Sequence, residues 1–314
     1  MEGKPDKNIG FAELELNQLP RSRSFVYKLE GLIDWKPFKR LLRRLYSSKM
    51  GRPSYPPLMM LKILLLQQWY SMSDPETEDA LLNRIDFRRF VGLTLTATTP
   101  DYSTISRFRT RLMESGLQDK LLGLFEVQLA GHNLEIRRVS LIDATIVQSA
   151  AAPKKGGNPA DPDAKWIKKR NKAHFGYKVH ATTDAGDGFI RRVEVTPANT
   201  HDSKLFETVI PKNSRAVFAD KAYAKAERKR HLREQGIYCG ILDKSSRNRS
   251  LGLRQNRRNR RKSAVRQAVE RLFGTLKRCY GLVRMRYFSL ERNRAHLKVV
   301  ALAFNIRKLC YLRA

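Results

Sequence analysis

The chain has 314 residues, 41% of them apolar, and its 62 Lys and Arg against 30 Asp and Glu give a formal net charge of +32. This length allows one sizeable core and a smaller second domain, and the average polarity excludes a membrane-embedded protein. Such a charge predicts a polyanionic partner, for which nucleic acid is the simplest choice, but leaves an enzyme and a basic scaffold equally open.

The first part of the sequence has the apolar spacing of helices. Residues 1–20 show no sustained period, so we assign residues 1–34 to an N-terminal arm and residues 35–134 to a helical domain. Two helix starts stand out, at Asp74-Pro-Glu and at Asp101-Tyr-Ser, because each begins with a capping aspartate. The first is predicted to lead into a helix over residues 80–90.

The second start leads into a short helix with a basic side. Its apolar stripe consists of Ile105, Phe108 and Leu112. Three arginines project away from that stripe: Arg107, Arg109 and Arg111. The pattern favours a helix-turn-helix that binds DNA, although a packing domain with solvated arginines explains it as well.

From about residue 135 the sequence changes to short apolar runs. The predicted strands cover residues 139–147, 176–183, 189–195, 215–219 and 238–242. The first three form a meander, with a hairpin turn at 184–188, and the others alternate with helices. This order predicts a mixed α/β domain over residues 135–314, which ends with long helices from about Ser263 to Tyr280 and from Leu290 to Leu312.

Two basic segments interrupt this pattern, at residues 153–172 and 245–262. We predict that both are loops that become ordered on a phosphate backbone, and a solvated, disordered tether is the alternative for each. The second segment has no acid and supplies four predicted DNA contacts: Arg257, Arg258, Arg260 and Arg261.

Three carboxylates occupy positions where an isolated charge is costly. Asp143 and Asp220 interrupt runs with the pattern of buried strands, and Glu270 lies on a basic helix. If the two strands are neighbours, the aspartates converge at one edge of the sheet, and the helix can bring Glu270 to the same point. Three hard oxygen donors suit two Mg²⁺ ions roughly 3.5 to 4 Å apart, an arrangement fitted to phosphodiester chemistry.

The predicted helix around Glu270 has two distinct sides. Arg266, Glu270 and Lys277 fall within about 40° of one another. A different arc carries the apolar residues: Val265, Ala268, Val269, Leu272 and Leu276. One side is therefore predicted to pack and the other to present the three charges, although an ordinary Arg266–Glu270 pair explains the spacing equally well.

Polar residues near the predicted meander are weaker candidates. His174, His180 and His201 are interpreted as hydrogen-bonded or DNA-facing residues rather than metal ligands. The segment Asn199-Thr-His-Asp202 has the composition to orient groups near the site. Lys178 and Tyr223 fit either a phosphate contact or packing at the edge of the core.

The segment Arg266-x3-Glu270-x6-Lys277 resembles the signature around the catalytic glutamate of DDE transposases from bacterial insertion sequences. The resemblance is to the group founded on insertion sequence five and the related group founded on insertion sequence four. Asp143-Ala-Thr and Asp220-Lys-Ala-Tyr resemble the two aspartate segments of the family, and Gly51 to Leu112 resembles its helical N-terminal domain. The fuller signature has a tyrosine where this chain has Ser263.

This resemblance implies an RNase H-like core in which Asp143, Asp220 and Glu270 are catalytic residues and metal ligands. It also implies that Arg266 and Lys277 contact DNA near the transposon end. The activity implied is binding of the element's ends, DNA cleavage and joining of the 3′-hydroxyls to target DNA, with two Mg²⁺ ions or Mn²⁺ in their place. The implied partners are double-stranded DNA, as terminal inverted repeats and target, and a second copy of the chain in a synaptic dimer.

Two other functions fit the same residues. One is a metal-dependent nuclease that does not join strands, and the other is a non-catalytic DNA-binding protein derived from a transposase. The presence of all three acids favours an enzyme.

Three widely separated cysteines, Cys239, Cys279 and Cys310, show no zinc or disulfide spacing. The N-terminus has no apolar signal segment. Together these features predict a cytoplasmic protein with no membrane partner, and the resemblance implies a bacterial protein that is associated with the nucleoid through DNA binding.

Overall fold

The structure is a computed structural model. It describes residues 24–29, 31–46, 54–132, 134, 138–151, 153, 160–169, 171–245 and 250–313. The chain divides into two compact units, the first comprising Met1–His132 with Leu302–Ala314 and the second Asn133–Ala301. Most of the arm expected over residues 1–34, up to residue 23, lies outside the described residues.

The first unit is built from helices. They are α1 (Phe25–Lys28), α2 (Lys36–Leu42), α3 (Pro57–Tyr70), α4 (Asp74–Asn83), α5 (Ile85–Val91), α6 (Tyr102–Ser115) and α7 (Gln118–Gly131), with a 3₁₀ turn at Arg43–Leu45. Val26 and Leu29 are buried, so the end of the expected arm is a packed part of this unit.

The predicted helix starts are present, and one predicted helix is divided. Ser73 and Glu76 form a reciprocal capping box at α4, and the Asp101 carboxylate accepts a hydrogen bond from the Thr104 N–H at α6. The helix expected over residues 80–90 breaks at Arg84, whose backbone is extended (φ −108°, ψ 112°). The segment therefore forms the end of α4 and the separate helix α5.

The second unit contains a six-stranded mixed sheet. Its strands are β1 (Val139–Gln148), β2 (Lys165–Lys169), β3 (Lys172–Asp184), β4 (Ile190–Pro197), β5 (Ala216–Phe218) and β6 (Tyr238–Cys239). The order is β2-β3-β1-β5-β6, with β4 also paired to β3. The central strand β1 is antiparallel to β3 and parallel to β5. The predicted meander and the mixed α/β order are both present.

Helices and short turns complete the second unit. They are a 3₁₀ turn at Asp202–Leu205, α8 (Phe206–Val209), a 3₁₀ turn at Lys221–Tyr223, α9 (Ala226–Glu234), α10 (Leu253–Cys279) and α11 (Leu290–Arg313). Helix α11 contributes its residues up to Ala301 to this unit, whereas Leu302–Ala314 belong with the first unit and not, as expected, with the second.

Both basic segments expected to be loops contain regular structure. Strand β2 lies within residues 153–172 and pairs with β3 from Lys165↔Gly176 to Lys169↔Lys172. Helix α10 begins at Leu253 rather than near Ser263. Apolar periodicity missed both elements because β2 is an exposed strand and the first turns of α10 bury few apolar side chains.

A buried cluster holds helices against the sheet. Its members are Ile142, Phe206, Val209, Val217, Ala219, Tyr223, Leu232 and Ile241. Helix α10 also packs on β1, β3 and β5. The sheet and this helix thus form the frame in which the three predicted acids are placed. Among the described helices, none has the length and apolar content needed to cross a membrane.

Candidate active site

The parallel pairing of β1 and β5 places Asp143 and Asp220 at equivalent positions along the two neighbouring strands. The last paired residues of the two strands are Leu141 and Phe218, and each aspartate lies two positions further along the chain. Asp143 continues along β1, whereas the chain leaves the sheet after β5. There Asp220 caps the 3₁₀ turn and accepts a hydrogen bond from the Lys221 N–H at 2.7 Å. The adjacency of the two strands that the sequence suggested is present.

Arg266 links the two aspartates. One Nη of its guanidinium lies 3.4 Å from Asp143 Oδ2, and the other lies 3.6 Å from Asp220 Oδ1. These are ion-pair distances, longer than those of good hydrogen bonds. The Arg266 side chain is 8% exposed, and its Nε is buried without a hydrogen-bond partner among the described residues. A single buried cation is therefore shared by two carboxylates.

The burial of Arg266 corrects the expected sides of the helix. The predicted open side held Arg266 with Glu270 and Lys277, but Arg266 lies on the packed side and Val265 is 38% exposed. The buried residues of α10 are Lys262, Arg266, Val269, Leu272, Phe273 and Leu276. The two cations in this stripe are accommodated because each has partners, Lys262 Nζ donating to the Ile241 carbonyl at 2.8 Å.

Glu270 lies one helical turn beyond Arg266 and is exposed. The negative charge of Glu270 acts on Asp143. Burial is the main cause that raises the pKa of Asp143 above its usual range, and the charges of Asp220 and Glu270 act in the same direction. Arg266 and the Ala144 N–H, 2.9 Å from Asp143 Oδ1, oppose that rise. The three predicted acids therefore share one electrostatic environment, in which additional positive charge is favoured.

The donors at this site are of the kind that Mg²⁺ and Mn²⁺ prefer, because all three are carboxylate oxygens. Among the described residues, however, no three His, Cys, Asp or Glu side chains are close enough together to hold a metal ion as they stand. The guanidinium of Arg266 is the cation that bridges two of the carboxylates. The donor chemistry and the surplus of negative charge fit a divalent ion.

A polar layer lies near Asp143 on neighbouring elements. Lys178 Nζ is 2.8 Å from Asp202 Oδ1 and donates to the Thr200 carbonyl at 2.7 Å. The Tyr223 hydroxyl is buried without a hydrogen-bond partner in the described chain. Burial raises the pKa of Tyr223, and Asp202 and Asp143 raise it further. Tyr223 is thus buried near Asp143 and Asp202, and Lys178 is buried beside Asp202.

Two of the three histidine candidates, His180 and His201, are placed as hydrogen-bonded residues. His180 is fully buried, and its Nε2 lies 3.0 Å from Thr196 Oγ1. Burial lowers the pKa of His180 to about 4, so its ring is neutral at neutral pH. His201 Nδ1 accepts a hydrogen bond from the Ser203 N–H at the start of the 3₁₀ turn. These contacts give both residues a structural role.

The arginines predicted to contact DNA from α6 differ in their surroundings. Arg109 is held inside the helical unit by the Asp74 carboxylate and by Gln67 Oε1, the latter at 3.1 Å. Arg107 is exposed and donates to two hydroxyls of its own helix, and Arg111 is exposed and lies 4.8 Å from the Tyr46 ring. Arg109 therefore serves packing, and the other two lie at the surface.

The basic end of α10 carries an open groove of about 1050 Å³. It extends along the helix from Leu253 to Glu270, and Arg257 and Arg260 are among its lining residues. Arg258 instead forms a 2.6 Å ion pair with Asp243. Two predicted DNA contacts outside the groove are also exposed: Arg261 and Lys277.

Comparison with known proteins assigns the family. Residues 135–306 match the model described as "Transposase DDE domain", and residues 14–111 match "Transposase domain (DUF772)". Because the first match covers more than half of the chain, this protein belongs to the DDE transposase family. The mixed-sheet unit has the RNase H-like fold of that family and is preceded by the helical unit, and the protein is a transposase of insertion-sequence type. Enzymes of this family generally use divalent metal ions.

A solved structure also aligns with the chain. It is the cryo-EM structure of a piggyBac transposase synaptic complex with hairpin DNA. The alignment covers 93% of this chain and 76% of the other, with 12% sequence identity and a TM-score of 0.46. At that TM-score the likeness carries no functional weight.

Proposed function

We propose that this transposase belongs to the group founded on insertion sequence five, cleaves the ends of its own element and joins the freed 3′-hydroxyls to target DNA. The observation that carries the proposal is the pair of aspartates, Asp143 and Asp220, on adjacent strands and bridged by buried Arg266 one helical turn before Glu270. Phosphoryl transfer needs positive charge held beside reacting oxygens, and this group of acids is built to attract it.

In this proposal Asp143, Asp220 and Glu270 are the catalytic residues and hold two Mg²⁺ ions, with Mn²⁺ as a substitute. Bound there, the ions would supply positive charge beside the attacking and leaving oxygens of a phosphoryl transfer. The strand pairing fixes the level of the two aspartates, and Arg266 restrains both carboxylates through one guanidinium. Glu270 has freedom to adjust because it is exposed.

The proposed DNA contacts follow from exposure and charge. On α10 they are Arg257, Arg258, Arg260, Arg261 and Lys277, of which Arg257 and Arg260 line the groove that ends at Glu270. In the helical domain, proposed over residues 35–134, Arg107 and Arg111 are retained and Arg109 is left out because Asp74 binds it. Arg266, being buried, is proposed to act on the aspartates and to reach DNA only at the reacting phosphate.

The proposed partners are double-stranded DNA, as terminal inverted repeats and target, and a second copy of the chain. One site acts on one strand at a time and two element ends must meet, so we propose a synaptic homodimer. The proposed setting is the cytoplasm of a bacterium, on the nucleoid.

The test is a strand-transfer assay in Mg²⁺, with a labelled fragment that carries the element end beside this gene and a supercoiled plasmid as target. Wild type and Glu234→Gln, an exposed carboxylate on α9, should give joined products, and Glu270→Gln should give none. Joining by Glu270→Gln at the wild-type rate would refute the assignment of Glu270. Nicking without joining would identify a nuclease, and binding without metal-dependent cleavage would identify a DNA-binding protein.

A further inference from the structure

Strands β2 and β3 continue beyond the sheet as a two-stranded ribbon, residues 165–169 and 172–176, which we call the basic ribbon. Pairing of β3 with β1 ends at Gly176, and pairing with β4 ends at Tyr177. In the described chain, β3 residues before Gly176 pair in register only with β2. The ribbon thus projects beyond the end of the sheet where β1 ends, at Gln148.

The ribbon carries positive charge and an exposed aromatic ring. No acidic residue occurs between positions 165 and 176, and the ribbon has four lysines: Lys165, Lys168, Lys169 and Lys172. Trp166 is 55% exposed, although its ring centroid lies 5.4 Å from that of its cross-strand partner Phe175. Strand alternation puts Trp166 and Lys168 on one face of the ribbon and the other three lysines on the opposite face. Lysines beside an exposed aromatic ring match the chemistry of nucleic acid, which offers phosphates together with apolar sugar and base edges.

The base of the ribbon is held in a fixed place. A Cβ added to Gly176 would lie 2.2 Å from the Val147 carbonyl oxygen and 2.6 Å from the Ser149 nitrogen, so only glycine allows this approach of two backbones. The Ser149 N–H donates to the Phe175 carbonyl at 3.0 Å. The ribbon therefore leaves the sheet at an angle set by backbone contacts with β1.

A buried carboxylate strengthens this anchor. Asp161 is fully buried and accepts hydrogen bonds from the Tyr177 hydroxyl, the Ser149 hydroxyl at 2.6 Å and the Ser289 N–H at 3.2 Å. Buried polar groups with several partners fix local structure. The ribbon is thus mounted rigidly enough to position what it binds.

The register places the ribbon at a defined distance from the candidate site. Asp143 pairs with Ala181, five residues beyond Gly176 and nine beyond Lys172. At about 3.3 Å per residue, the ribbon spans roughly 17 to 30 Å from Asp143 along the strand direction. A duplex that runs along the strand direction, with base pairs about 3.4 Å apart, would therefore meet the ribbon roughly five to nine base pairs from Asp143.

We propose that the basic ribbon is a second DNA-binding surface that grips the duplex roughly five to nine base pairs from the reacting phosphate. Lysines on the ribbon contact backbone phosphates, and Trp166 packs on the sugar or base surface. A two-stranded ribbon has the dimensions that enter a major groove. The proposal rests on the proposed function, since it takes DNA as the substrate, but it concerns residues away from the three acids and the α10 groove.

The test measures DNA affinity of the full chain as a function of salt, by fluorescence anisotropy with a labelled 40-base-pair duplex of random sequence. The test variant is Lys168→Ala/Lys169→Ala/Lys172→Ala. The matched control, Arg138→Ala/Lys212→Ala/Arg215→Ala, removes three exposed cations near the opposite end of the sheet, where β1 and β5 begin. Both variants should keep the wild-type melting temperature, because all six side chains are exposed.

We expect the ribbon variant to reduce the slope of log K against log salt by about 2 to 3, and the control by less than about 1. Trp166→Ala should weaken binding by about 5- to 100-fold with the slope unchanged, because it removes apolar contact area but no charge. In the wild type, DNA should protect Trp166 from acrylamide quenching, and the Trp166→Phe variant should lack that part of the signal.

Equal slopes for the ribbon variant and its control would overturn the proposal while leaving the proposed function intact, provided that the wild type cleaves DNA in Mg²⁺. Loss of self-association in the ribbon variant, with an unchanged salt slope, would also overturn it, because the edge of β2 would then bind another copy of the chain. A wild type that neither binds nor cleaves DNA would contradict the proposed function itself.

Discussion

Two of the buried arginines that the structure describes have opposite surroundings. Arg88 in the helical unit is 6% exposed, and Arg266 in the sheet unit is 7% exposed. The terminal nitrogens of Arg88 donate to four backbone carbonyls, those of Leu81, Thr94, Leu95 and Ala97. Those of Arg266 lie 3.4 and 3.6 Å from two carboxylates.

This difference separates an arginine that closes a structure from one that we propose serves a reaction. The carbonyls around Arg88 come from a helix end and a loop, so the guanidinium replaces backbone hydrogen bonds that this part of the chain lacks. The partners of Arg266 are charged and partly exposed, at 23% and 39%. They can exchange one cation for another, which the partners of Arg88 cannot.

The largest predicted effect is the loss of cleavage activity in a variant that still folds. Asp143→Asn keeps the shape of the residue and removes the charge, so Mg²⁺-dependent cleavage should fall by at least about 1000-fold. Asp187→Asn, in the turn between β3 and β4, should cleave normally. Cleavage assays and circular dichroism check both variants; an active Asp143→Asn enzyme would remove Asp143 from the site.

The next effect compares the two arginines directly. Arg88→Met should lower the free energy of unfolding by about 3 to 5 kcal/mol, because it leaves several buried carbonyls without donors. Arg266→Met should cost less, about 1 to 2 kcal/mol, because it removes the cation from Asp143 and Asp220 but both carboxylates are partly exposed, so water or a proton can compensate them. Urea titrations of the two variants measure this. Equal losses would show that Arg266 is as structural as Arg88.

A third prediction concerns pH and the buried layer beside the site. The unfolded chain protonates His180 near its ordinary pKa of 6.5, but the native chain does so only near 4. Between these values the unfolded state binds the extra proton, so stability is complete above pH 6.5 and is lost as the pH falls towards 4, by roughly 3 kcal/mol in total.

The His180→Gln variant keeps a donor near Thr196 and does not titrate. Its melting temperature should therefore fall less between pH 7.5 and pH 4.5 than that of the wild type. Lys178 and Asp202 act on this ring in opposite senses, Lys178 lowering its pKa and Asp202 raising it. Parallel pH profiles of the two proteins would show that His180 does not account for the acid sensitivity.

The smallest predicted effect is that of a surface arginine, which serves as a reference for Arg88 and Arg266. Arg258, whose side chain is 51% exposed, pairs with Asp243 at the surface. Arg258→Ala should change the free energy of unfolding by less than about 1 kcal/mol, and the change should shrink in high salt. Urea titration at two salt concentrations measures this change. A loss of unfolding free energy as large as that of Arg88→Met would show that burial does not decide how much an arginine stabilises this protein.

Much of the frame could be read from local sequence. Helix starts near Asp74 and at Asp101 and the long strand around Asp143 follow from capping residues and apolar runs, although the residue that caps the first of these helices is Ser73. The placement of Arg266 could not, because its burial depends on two aspartates that are distant in sequence. The burial of Arg109 could not be predicted for the same reason, because the sequence identified its partner Asp74 only as the start of a helix. Hydropathy assigns a cation to the surface unless its tertiary partner is known.

Gly176 places a constraint on the gene as well as on the fold. Glycine codons begin with two fixed guanines, so any nucleotide change at either position puts a side chain at residue 176 or ends the chain there. Even the smallest such side chain meets the backbone of β1 at 2.2 Å. A copy of the gene that has accumulated mutations can therefore keep all three acids and still lose the orientation of the basic ribbon.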